Sequence, residues 1–137
     1  MRTQPVTIVL LLLATLFFVG CGSSGGLDVQ PVRGKVTFDG EPISEGRILF
    51  RAVDGDKRAF SAEIVGGQYQ VETLPGKMTV EITASRLIPG KFDESNPGEK
   101  VPVGEMYIPA RYNSQTELTA EVPSGGAEQL DFALTSQ

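Results

Sequence analysis

The chain reads as an all-β protein: seven short strands forming an antiparallel Greek-key β-sandwich, preceded by a signal peptide. Three observations lead there. From Gln30 onward apolar and polar residues alternate with period 2, which puts one side of each strand in a core and the other in water. Asp39-Gly40, Asp54-Gly55, Gly66-Gly67, Pro75-Gly76 and Gly125-Gly126 are turn signals between these runs, which recur at about 8 to 12 residues. No helical pattern intervenes, which argues against βαβ units. Each strand has a single apolar side, so two sheets must pack those sides together around a core about 10 Å thick.

Ahead of the strands, Val6 to Val19 is apolar except for Thr7 and Thr15 and follows Arg2. The run is shorter than the roughly 20 residues of a membrane-spanning helix and has the basic start and apolar middle of an export signal, so residues 1–20 are assigned as a signal peptide. Phe18-Val19-Gly20-Cys21 resembles the lipobox of bacterial lipoproteins. The resemblance implies that Cys21 is acylated and becomes the first residue of the mature chain. Cys21 is the only cysteine, so it forms no internal disulfide, and acylation accounts for an otherwise odd thiol. Two or three acyl chains, at about 0.8 kcal/mol for each buried methylene, hold a protein on a membrane where one chain does so only marginally. Gly22, where retention in the inner membrane favours Asp, points by the same resemblance to the outer membrane.

Residues 21–29, CGSSGGLDV, read as a flexible tether, and residues 30–137 as one domain. The whole chain carries 12 Lys and Arg against 17 Asp and Glu; without Arg2 the mature balance is 11 against 17, or −6. A mildly acidic chain with no basic run is a poor partner for nucleic acid. It is equally poorly suited to bind anionic lipid by charge alone. There is no His and no Trp, and Cys21 stands outside the domain. The usual nucleophile, general-base and metal-ligand sets are therefore missing, and neither enzyme activity nor a cofactor is expected.

Taken in order, Val32, Val36 and Phe38 alternate with Arg33, Lys35 and Thr37 in the first strand. Ile48, Phe50 and Ala52 face inward in the second, then Phe60, Ala62 and Ile64 in the third. Tyr69, Val71 and Thr73 follow, and Met78, Val80, Ile82 and Ala84 make the longest run. Leu118, Ala120 and Val122 precede the last strand, where Leu130, Phe132 and Leu134 alternate with Asp131 and Ala133.

Gly34-Lys-Val-Thr-Phe-Asp39-Gly40-Glu-Pro42-Ile43-Ser-Glu-Gly46-Arg-Ile48-Leu-Phe50 resembles the opening hairpin of carboxypeptidase regulatory-like domains. Gly67-Gln-Tyr69-Gln-Val71 with Leu74-Pro-Gly76-Lys-Met-Thr-Val80-Glu-Ile82 resembles a later hairpin of that family. The closing segments, Ile108-Pro-Ala-Arg-Tyr112-Asn113, Leu118 to Val122 and Leu130 to Leu134, are similar to small envelope lipoproteins found largely in planctomycete bacteria. What the resemblance implies is a transthyretin-like sandwich in the cell envelope, outside the cytoplasm, with no particular activity attached.

One stretch departs from the rhythm. Ser85 to Asn113 spans 29 residues with four prolines and little periodicity, far longer than the usual connection of about 4 to 6. It gathers Arg86, Lys91, Phe92, Tyr107, Arg111 and Tyr112, a mixture suited to contacting a partner, although a solvated cover over a sheet edge has the same composition. Asp54-Gly55-Asp56 supplies two carboxylates but reads first as a turn, lacking a third acidic residue at calcium-loop spacing. The expected function is a lipid-anchored structural or protein-interaction module held to a membrane through Cys21. The alternative is a module that binds glycans or other envelope polymers, against which the lack of Trp counts.

Overall fold

The computed structural model describes residues 26–137. The signal peptide assigned to residues 1–20, Cys21 and the first part of the tether lie outside the described residues. The chain is all-β: β1 (Gln30–Phe38), β2 (Glu41–Pro42), β3 (Glu45–Ala52), β4 (Ala59–Val65), β5 (Gln68–Thr73), β6 (Gly76–Thr83), β7 (Ser85–Asp93), β8 (Val101–Met106), β9 (Thr119–Val122) and β10 (Phe132–Leu134). Among the described residues a 3-10 turn covers Ala110–Tyr112. Among the described residues no helix is long and apolar enough to cross a membrane.

All seven expected strands are present, and three must be added. β2 is two residues folded back on β1. β7 and β8 form a hairpin inside the stretch that has no period in its sequence. The reason is physical: the ladder shifts register between Leu87 and Phe92, and most of its residues are exposed, so burial imposes little alternation.

The remaining strands lie in the order β10-β1-β5-β4-β3-β6-β9. β4 and β5 are joined by Gly66-Gly67, both at positive φ, which suits the tight turn of a two-residue hairpin. They pair only at Val65↔Gln68 and then part, so the sheet curls over and β10-β1-β5 comes to face β4-β3-β6-β9. The inward sides meet as the alternation requires. Phe50 of β3 lies 5.9 Å from Tyr69 of β5 and 6.2 Å from Phe132 of β10, ring centre to ring centre, at the separation of favourable aromatic pairs. Every residue expected to face inward is buried or packed against this core. Ile43 and Ile108, which lie outside the expected strands, are buried with them.

The expectation of wholly antiparallel strands needs a correction, because β10 runs parallel to β1, with Val36 opposite Phe132 and Phe38 opposite Leu134. Parallel pairing needs a crossover, and the chain supplies one after β9. That segment joins β1 early. Arg33 N donates to Ala127 O at 2.7 Å, Ala127 N to Pro31 O at 3.0 Å, and Leu130 N to Arg33 O at 2.9 Å. Lys35 N then donates to the Asp131 carboxylate at 2.7 Å, a side chain standing where a strand would offer a carbonyl. A side chain at Gly34 would block the crossing, since its Cβ would stand 2.0 Å from Leu130 O.

Candidate interaction site

The β7–β8 hairpin is fixed at its foot. Tyr107 packs edge-on against Phe38 at 5.6 Å, and Arg86 lies over the Tyr107 ring at 5.5 Å while its Nε donates to Glu105 Oε1 at 2.9 Å. Tyr107 N also donates to Ala84 O at 3.2 Å. Just beyond, the buried Asn113 amide donates to Ile108 O at 3.2 Å and Pro109 O at 3.1 Å, and to Ile82 O at 3.4 Å, which ties the returning chain to the end of β6. Among the described residues the far end of the hairpin makes no such contacts. Its turn is closed locally: Lys100 Nζ pairs with Glu94 Oε1 at 2.9 Å, and Ser95 donates to Asp93 from both its hydroxyl and its N–H, which holds that carboxyl below its usual range.

The pairing sorts the hairpin into two unlike sides. Ser85 lies opposite Met106, Leu87 opposite Gly104 and Phe92 opposite Pro102, and residues two apart on a strand share a side. Following the paired residues, one side carries Ser85, Leu87, Phe92, Pro102, Gly104 and Met106, none of them charged, and the other carries Arg86, Asp93, Val101 and Glu105; residues 88–91 fall in the register shift and are not sorted by the pairing. On the uncharged side Leu87 is 65%, Met106 55% and Phe92 48% exposed. Single exposed apolar side chains are ordinary, whereas several gathered on one side of a ribbon are less so.

Two clefts of about 510 and 500 Å³ open at the foot of the hairpin. Met106 lines the first and Leu87 the second. Both include Glu45, Ser85 and Val65, and Val65 is itself 65% exposed at the end of β4. Leu87 and Met106 thus each share a cleft with Val65 of the main sheet, beside the charged Glu45.

The six residues singled out in the sequence separate into three places. Arg86 and Tyr107 anchor the foot, while Lys91 and Phe92 lie exposed on the outer half of β7. Arg111 and Tyr112 lie apart, at the 3-10 turn, where they hold the end of the chain. Arg111 donates to the carbonyls of Thr135 and Gln137, the latter at 2.7 Å, and lies over the Tyr112 ring at 4.8 Å. The Tyr112 hydroxyl accepts from Thr135 N at 3.2 Å. Hydrogen bonds from the Thr135 hydroxyl and N–H, with Arg111 beside them, draw the Tyr112 pKa down to about 8. Leu87, Met106 and Val65 were missed.

Asp56 of the Asp54-Gly55-Asp56 turn is taken by Arg58, whose N and Nε donate to it at 3.0 and 2.9 Å. No group of three or more metal-ligating side chains gathers among the described residues. No family model matches the chain, and neither does any curated protein or solved structure.

Proposed function

We propose that this chain is a lipid-anchored, non-catalytic interaction module of the bacterial cell envelope, and that it meets a protein partner through the uncharged side of the β7–β8 hairpin. The observation that carries the reading is the joint exposure of Leu87, Phe92 and Met106 on one side of a ribbon fixed only at its foot. A lone two-stranded ribbon is marginal in water, so covering its apolar side stabilises it. Charge favours protein over lipid as the cover. The outer hairpin carries Asp93, Glu94 and Glu99 against Lys91 and Lys100, a balance that anionic headgroups do not attract. Pro89 and Pro102 each withhold a backbone donor from the ribbon, which disfavours strand addition and leaves its side for packing.

The anchor belongs to the same proposal: export by residues 1–20, acylation of Cys21 and residence on the outer membrane. So does the finer fold, a Greek-key sandwich of transthyretin type related to carboxypeptidase regulatory-like domains. The quoted hairpin motifs and the opposition of Phe50 to Tyr69 and Phe132 support it.

A photoreactive residue at position 92, compared with one at Glu72 on the outer side of β5, tests the hairpin in intact cells. A protein adduct specific to position 92 and lost in Leu87→Asp is expected; equal labelling at both positions, or none, overturns the assignment. Mass spectrometry tests the anchor. The mature chain should start at lipid-modified Cys21, and a free thiol there with residues 1–20 retained would remove the anchor from the proposal.

A further inference from the structure

We infer a second binding site, for an uncharged glycan, in a trough on the outer side of β1 and β5. It shares no residue with the ribbon itself, only Val65 with the clefts at the ribbon's foot, and does not depend on the ribbon's role. The trough encloses about 670 Å³, within the range of about 300 to 1,000 Å³ usual for ligand sites. Its floor is built by cross-strand neighbours, Lys35 opposite Gln68 and Arg33 opposite Gln70. Glu63 and Val65 form one wall, where β4 parts from β5; Glu128, Gln129 and Asp131 of the crossing segment form the other. Paired strands set the backbone positions of these side chains about 4.8 Å apart across the ladder and about 6.8 Å apart along it.

Some of the polar groups are already engaged. Arg33 pairs with Glu128 at 3.4 Å, and the Asp131 carboxylate accepts Lys35 N. The side chains of Gln68, Gln70 and Gln129, the Lys35 ammonium and the Glu63 carboxylate make no hydrogen bond or ion pair with other described residues. Three amides that both donate and accept match sugar hydroxyls, which do the same. With Arg33 and Lys35 against Glu63, Glu128 and Asp131 the trough carries a net charge of −1, which disfavours an anionic ligand. A peptide strand is disfavoured, because β1 and β5 pair with each other and the floor presents side chains in place of a free backbone edge. Tyr69 is 5% exposed, with its ring in the core, and offers no stacking surface. Hydrogen bonds alone then hold the sugar, and a Kd on the order of 1 mM is expected.

The test is an NMR titration of the full-length protein in detergent micelles with four probes: a glucose hexasaccharide, an N-acetylglucosamine hexasaccharide, a hexagalacturonate and an uncharged hexapeptide. At least one neutral sugar should shift the side-chain amide signals of Gln68, Gln70 and Gln129. Gln68→Ala with Gln70→Ala should weaken that binding about tenfold or more, equivalent to about 1.4 kcal/mol, without altering the melting curve. Gln129→Ala approaches the same trough from its other wall and serves if the double variant melts early. Leu87→Asp on the hairpin should leave sugar binding unchanged. No shift with either neutral sugar at tens of millimolar, shifts mapping elsewhere, or a response confined to galacturonate or to the peptide would overturn the assignment.

Discussion

The Tyr69 hydroxyl donates a 2.6 Å hydrogen bond to the carbonyl oxygen of Leu130, in the space that Gly34 leaves open. Gly34 lies directly opposite Tyr69 in the β1–β5 ladder. A residue without a side chain, a tyrosine 35 positions later and a carbonyl 61 positions beyond that thus fasten the crossing segment to the sheet. The β10 strand depends on them for its parallel course.

Gly34→Ala should cost more than about 3 kcal/mol, because its Cβ meets backbone and not a side chain that can turn away. Tyr69→Phe keeps the ring and leaves the Leu130 carbonyl without its donor, for about 1 to 3 kcal/mol. Denaturant melts measure both. A Gly34→Ala variant as stable as the parent would show that the crossing segment can lift away.

Two of the three tyrosines should titrate abnormally, in opposite directions. Burial, and then the Asp131 carboxylate, push Tyr69 above its ordinary 10.0. Its folded value is raised, so its contribution to stability is complete below pH 10 and is lost as pH rises beyond it. Tyr112, drawn down to about 8, has the reverse sign: its contribution is present above pH 10 and is lost as pH falls through about 8. Tyrosinate absorbance should show a step near pH 8 that disappears in Tyr112→Phe, and a second tyrosine that stays silent until the protein unfolds.

Asp131 is exposed, and its place in the alternation marks it as a neutral surface position. Its carboxylate nevertheless satisfies Lys35 N. Asp131→Ala should therefore cost about 1 kcal/mol or more, while Asp131→Asn, which keeps an acceptor oxygen, should cost less. Equal losses in the two melts would point to charge instead.

Phe50→Ala and Phe132→Ala should each cost about 3 to 5 kcal/mol, since both rings meet at the centre of the core. Arg51→Ala removes only an exposed pair with Glu81 at 3.6 Å and should stay within about 0.5 kcal/mol. The reverse order in urea would mean that the strand sides are exchanged.

Deleting Gly90 to Glu99 removes the outer hairpin and spares the Phe38, Tyr107 and Arg86 stack at its foot. Most stability should remain, because halving or doubling a loop changes its closure cost by only about 0.6 kcal/mol. A deletion that melts the core would identify the outer hairpin as a brace for the sheet.

The sequence by itself determined the all-β class, the seven core strands and the side each turns inward. Period 2 is a local property, and one buried side enforces it residue by residue from Val32 to Leu134. It also marked Ser85 to Asn113 as the stretch unlike the rest, without showing that β7 and β8 lie within it. An exposed ribbon buries little and so leaves no alternation to read. Only the tertiary structure decided that β10 runs parallel to β1, because Phe132 and Leu134 alternate in the same way whichever direction the partner strand takes. Only it could show that Arg111 and Tyr112 hold the C-terminus while Val65, Leu87 and Met106 come together. The same holds for the trough, whose walls, Glu63 and Gln129, are 66 positions apart. Such neighbours are set by how the sheet curls where β4 and β5 part after a single residue pair, and no local pattern encodes that curl.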